Sequence, residues 1–178
     1  MQKPFPRYAV NQSGFTLIEL MMATLVLMVG IVAVAQLVPL AVSLNASNRQ
    51  NSTALVIAQR ELNQMAQPRN LNLPSFTDDL NNLCSLGDPA SPGQLVGSAV
   101  KVDSNRPLID FTVAPQTGYS FNYVDPNDPF QLTYDVRWAV VTFVNSGGAV
   151  SGKRFVLGVR RQGGQPVLPV TLDTLVEK

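Results

Sequence analysis

The sequence predicts an α+β fold in which one long amino-terminal helix precedes a mainly antiparallel β-sheet. Three patterns predict it. Residues 20–44 carry no charged side chain. In residues 53–65, Leu55, Ala58, Leu62 and Met65 recur at three- and four-residue spacing, the repeat of one helix face. Residues 131–143 alternate instead, with Leu132, Tyr134, Val136, Trp138 and Val140 on one side of an extended chain.

The amino-terminal element begins with a polar lead, residues 1–14. Lys3 and Arg7 are its positive side chains, and Pro4, Pro6 and Gly14 disfavour a continuous helix there. The apolar run from Phe15 onward is long enough to cross a hydrocarbon core as a helix. Lys3 and Arg7 orient its start toward the cytoplasm, leaving the remainder outside the inner membrane. Glu19 is the anomaly, a carboxylate one turn after Phe15. Such a charge is costly in lipid unless it reaches water or a partner. A helix start, where the dipole favours an anion, accounts for its tolerance without assigning it a role.

The string Gly14-Phe15-Thr16-Leu17-Ile18-Glu19-Leu20-Met21 resembles the processing and methylation motif of type IV prepilins and type II secretion pseudopilins. The resemblance implies that a prepilin peptidase cuts between Gly14 and Phe15 and methylates the new amine of Phe15. It also implies that Glu19, flanked by Leu17 and Leu20, helps the subunit join a filament. Pairing of Glu19 with the Phe15 amine, on the same or a neighbouring subunit, offsets part of the desolvation of both and sets axial register. A rival reading of the same residues is a secretory signal cut after Ala33-Val34-Ala35, releasing a domain that starts at Gln36.

The helix is expected to span residues 15–67, on the order of 80 Å at the usual rise, and to stop at Pro68. Gly30 permits close packing or local melting, or is a glycine of the kind common in membrane helices. Pro39 is expected to kink the rod. Arg60, Glu61, Asn63 and Gln64 are expected mainly off the apolar stripe.

Residues 68–178 form the expected exported part. Residues 68–106 read as an irregular connection with one short helix near 77–83, punctuated by proline and glycine. Strands are expected at 108–113, 119–123, 131–144 and 153–160, with a short last one at 167–172. Asn145-Ser146-Gly147-Gly148 supplies the turn between the two long strands. Phe155, Leu157 and Val159 alternate so that one face packs on the helix stripe. This order of elements is also that of pilin-like proteins, and the long paired strands resemble minor pilins of the PilV or PilW kind.

Composition narrows the chemistry. The 178 residues hold 13 Lys and Arg against 12 Asp and Glu, no histidine and one cysteine. That removes histidine acid–base catalysis, the Ser-His-Asp arrangement, cysteine-based metal clusters and an intrachain disulfide. Cys84, between Leu83 and Leu86, is expected to be a small buried hydrophobe. Asp78 and Asp79 read as a solvated acidic pair without a third ligand. Asp125, Asn127 and Asp128 form an oxygen-rich turn, a calcium candidate without full loop spacing; Pro126 and Pro129 already explain a turn. Lys153, Arg154, Arg160 and Arg161 are the basic contact surface to consider, either for another subunit or for DNA.

No cofactor is expected, and the chain is not expected to be an enzyme. The resemblance implies an inner-membrane, single-pass precursor with an exported carboxy-terminal domain, which later enters a pilus or a periplasmic pseudopilus. Its implied partners are the prepilin peptidase, other pilins or pseudopilins, the membrane platform protein, the assembly ATPase and, before assembly, lipid. A minor pilin supporting filament assembly, adhesion, twitching or DNA uptake is the main expectation. A type II secretion pseudopilin and a single-pass or secreted binding domain unrelated to filaments are the alternatives.

Overall fold

The computed structural model describes residues 14–126, 128, 131–163 and 168–178. Lead residues 1–13, Asn127, Pro129, Gly164 and position 167 of the expected last strand lie outside the described residues. Helix α1 (Leu17–Met65) is followed by nine strands: β1 (Ser75–Thr77), β2 (Leu83–Ser85), β3 (Leu95–Gly97), β4 (Val100–Asp103), β5 (Arg106–Ile109), β6 (Ser120–Val124), β7 (Thr133–Val144), β8 (Val150–Arg161) and β9 (Val170–Glu177). A long helix followed by a mainly antiparallel sheet is the pilin-like architecture that the sequence predicts.

The chain divides into two units, Met1–Asn45 and Ala46–Lys178, and α1 contributes residues to both. In the first unit every residue from Gly14 to Asn45 is exposed. Gly30 and Pro39 both lie inside an unbroken helix. A Cβ added at Gly30 would meet nothing within 4 Å, so no group among the described residues requires glycine there.

The second unit has an ordinary core. Ala54, Ile57, Ala58 and Met65 of α1 pack with Tyr134, Val136, Trp138 and Val140 of β7 and Phe155, Leu157 and Val159 of β8. These strand residues alternate, so one sheet face is apolar and lies under the helix. Leu62 packs at the margin of this core, whereas Leu55 is 38% exposed and falls outside it. The helix stripe therefore runs through positions 54, 57, 58, 61 and 65, rotated from the expected one, and it places Glu61 inside.

Strand β7 organises the sheet. One edge pairs with β8, from Tyr134↔Arg161 to Val144↔Val150. The other edge is shared: β6 pairs with Thr133 to Arg137, and β3 with Ala139 to Val141. Strand β9 pairs with the far side of β8. In the β7–β8 turn the Asn145 side-chain oxygen accepts from the backbone N–H groups of Gly147 and Ala149, both at 3.0 Å. Gly148 completes the turn at φ 78°, a left-handed conformation that favours glycine.

The opposite sheet face holds a smaller cluster of Ile109, Phe111, Ala139 and Val156, with Val100 at its margin. The β4–β5 hairpin feeds this cluster, and Gly158 makes room for it. A Cβ there would lie 2.8 Å from Ile109 Cβ and 3.1 Å from the Phe111 ring.

Several expected bounds change. The helix expected near 77–83 is instead the turn of the β1–β2 hairpin. Asp78 Oδ1 accepts from the N–H groups of Leu80 and Asn82, and Asn81 takes φ 67°, which closes a turn where a helix would have continued. The irregular region before residue 106 also contains β3 and β4, both short. Residues 110–113 fall outside β5, and β9 extends to Glu177.

Candidate processing and assembly segment

The motif residues occupy the entry to α1. Gly14, Phe15 and Thr16 precede the helix, which begins at Leu17. Thr16 Oγ1 accepts from the Glu19 N–H at 3.3 Å, and the Thr16 carbonyl accepts from the Leu20 N–H at 3.2 Å. Thr16 is thus the side-chain cap, and Glu19 stands at the third helical position. The Thr-x-x-Glu spacing of a capping box is the sequence signal for this start. Glu19 also lies in the first turn, where the helix dipole favours an anion.

Around this entry the apolar side chains are exposed among the described residues. Phe15 is 83% exposed and Leu17 is 77% exposed, and Leu20 is also exposed. The exposure continues through Leu25, Met28, Val32, Leu37 and Leu44. The helix is long and apolar enough to cross a membrane, and its most apolar stretch is wholly unburied. At roughly 25 cal/mol per Å² of apolar surface, exposing such a stretch to water is costly, which is consistent with a membrane-associated precursor.

The other sites singled out in the sequence have different environments. Cys84 is fully buried, and burial, aided by the nearby Asp78 and Glu61 carboxylates, pushes its thiol up to about 12. It is a packing residue rather than a nucleophile. Asp125 and Asp128 lie in a backbone turn in which the Asp128 N–H donates to the Asp125 carbonyl at 3.2 Å. Asn127, the third member of that candidate, is outside the described residues.

The expected basic surface is not continuous. Lys153 is fully buried, and its Nζ donates to the Leu73 carbonyl at 2.7 Å. Burial lowers it to about 8. Its position follows from strand parity, because Lys153 shares the inward face of Phe155, Leu157 and Val159. Arg154 faces the other way and pairs with Asp173 on β9 at 2.6 Å. Arg160 reaches Asp135 at 3.5 Å and lies over the Phe111 ring, 4.7 Å from its centre. Asp135 is held mainly by Arg137, at 2.8 Å, with both side chains buried. Arg161 ends β8, half-buried. Lys153 is thus withdrawn from the surface, while Arg154 and Arg160 pair with carboxylates.

Two features were not legible as sites. Glu61 is fully buried, with Oε1 accepting from Arg60 at 2.6 Å. Asp78, expected in solvent, is buried, and one carboxylate oxygen each of Glu61, Asp78 and Asp79 lies within 4.8 Å of the others. The missing third acid of the Asp78-Asp79 pair is thus supplied by the helix.

Comparison with known families matches residues 10–35 to the prokaryotic N-terminal methylation motif. The match covers the last residues of the lead, the Gly14-Phe15 junction, Glu19 and the first turns of the exposed helix. No curated protein and no solved structure matches the chain. The matched motif implies an encounter with an enzyme of the prepilin-peptidase type, and the apolar helix is consistent with a membrane-associated precursor. Through this motif the chain is linked at the family level to the type IV pilins and pseudopilins, and its fold is consistent with a structural, non-catalytic pilin-like protein.

Proposed function

We propose that the protein is a structural subunit of a type IV pilus, a minor pilin that is cut after Gly14 and methylated on Phe15. The observation that carries this reading is the capped helix entry joined to an uncovered apolar helix, inside the matched methylation motif. In this reading the precursor sits in the inner membrane with residues 68–178 exported. The peptidase releases a positive amine at Phe15, four residues before Glu19. The apolar stretch then leaves lipid for a bundle of like helices, where Glu19 pairs with a Phe15 amine and fixes the axial step. Other pilins, the membrane platform and the assembly ATPase are the partners, and adhesion, twitching and DNA uptake are the activities such a filament supports.

The motif serves type II secretion pseudopilins equally, so the same processing supports that second reading. The intact mass and amino-terminal sequence of the membrane-fraction protein, with and without the prepilin peptidase, test what the two share. A peptidase-dependent start at N-methylated Phe15 is expected. An uncut Met1, or a start at Gln36, sinks both. Deletion of the gene, scored for pilus assembly and for export of folded proteins, then separates pilus from secretion system.

A further inference from the structure

We propose that Glu61, Asp78 and Asp79 form a binding site for a calcium ion that ties the last turns of α1 to the β1–β2 hairpin. The three residues come from two distant stretches of sequence, yet one carboxylate oxygen from each lies within 4.8 Å of the other two. Clustered surface acids are common, but two of these are not on the surface. Glu61 is fully buried and Asp78 nearly so, while Asp79 is exposed and gives the cluster an opening to solvent.

Glu61 supplies the independent observation. Its Oε1 is occupied by Arg60, but its Oε2 is buried and has no hydrogen-bond partner among the described residues. An orphaned carboxylate oxygen in a protein interior is expensive, and a cation beside it removes the cost. Arg60 neutralises one of the three carboxylates, which leaves excess negative charge in a small volume. The neighbouring groups hold the acids in place. Asp78 accepts from the Leu80 and Asn82 N–H groups on Oδ1 and from the Asn82 side chain on Oδ2. Gln64 donates to Asp79 Oδ1 at 2.8 Å and accepts from the Asp79 N–H at 3.2 Å.

The donor set selects the ion. All three side chains offer oxygen, which suits hard cations. Three oxygens within 4.8 Å of one another can stand no more than about 2.8 Å from a common centre, nearer to calcium–oxygen distances of about 2.4 Å than to the roughly 2.1 Å that magnesium demands. The site therefore needs less closure around calcium than around magnesium, and the exposed side leaves room for water ligands.

The test uses the full-length chain in detergent, stripped with chelator and titrated with calcium or magnesium while thermal unfolding and bound heat are recorded. Calcium is expected to raise the melting temperature, with magnesium weaker at equal concentration. Asp79→Asn, a change at an exposed position, is expected to weaken the apparent calcium affinity roughly tenfold or more, since ligand charge sets affinity. Glu61→Gln in chelator is expected to melt no lower than the parent, because it relieves repulsion, and to lose the calcium response. No calcium response in the parent chain overturns the proposal. So does a response that survives Asp79→Asn but disappears with Asp128→Asn, which would put the ion at the other acidic turn. A magnesium response equal to that of calcium overturns the choice of ion.

Discussion

The two ends of α1 are built from similar apolar residues and meet opposite fates. Between Leu17 and Leu44 large hydrophobic side chains are exposed, while Ala54, Ile57, Ala58 and Met65 are buried against β7 and β8. The difference lies in pattern more than in apolar content. The first part is apolar all round, as suits a membrane or a bundle of helices. The second has one apolar stripe, which a single sheet face can cover. Within one helix, then, periodicity separates the surface reserved for other molecules from the surface used for the chain's own fold.

The comparison breaks if core truncation and helix truncation have equal effects. Leu157→Ala removes a fully buried side chain opposite Trp138, and a loss of about 2–5 kcal/mol is expected in urea unfolding followed by circular dichroism. Titration sharpens the picture at an intermediate scale. Lys153 holds its proton more weakly when folded (about 8) than its ordinary 10.5, so the unfolded chain binds more protons between these values and stability rises with pH. Cys84 does the reverse, from its ordinary 9.0 to about 12, so its contribution falls as pH rises above 9. Stability is therefore expected to climb by ~1 kcal/mol from pH 8 to 9, level out to about 10.5, and fall beyond it. Buried Tyr134 and half-buried Tyr119, both raised by burial, add to that fall. Lys153→Met should flatten the climb, and a climb of unchanged height in that variant would refute the assignment. The smallest effect is expected in the exposed half of α1. Leu27→Ala should leave the unfolding midpoint of the sheet domain within ~0.5 kcal/mol while lowering recovery in the membrane fraction.

The helix, the β7–turn–β8 hairpin and the inward set around Trp138 were legible in sequence because period and turn chemistry agree there. The β1–β2 hairpin was not. Thr77-Asp78-Asp79-Leu80 has the composition of a helix start, and only the return of Asn82 onto Asp78 makes it a turn. Strands β3 and β4 are three and four residues long, too short to show alternation, and β3 owes its place to pairing with β7. Glu61 and Lys153 lie inside for one reason: position on the period outweighs charge there. Lys153 stands two residues from Phe155 on a strand, and Glu61 stands four from Ile57 and four from Met65 on a helix. In both places the period already pointed inward, and burial followed the period. The string Gly14 to Met21 was legible as a motif, whereas the cap that Thr16 gives the Glu19 N–H emerged only from the structure.

Trp138 is the chain's one tryptophan, and its place gives the molecule a built-in optical reporter. The indole is wholly enclosed, its N–H donates to the Ser85 carbonyl at 2.8 Å, and the rings of Tyr119 and Phe121 lie about 6 Å away (6.1 and 6.0 Å). Its emission therefore originates in the sheet domain alone. A shift toward longer wavelength would signal loosening of that domain even when the apolar helix stays embedded in lipid, detergent or a fibre, so the health of one part can be followed by light while the other remains occupied.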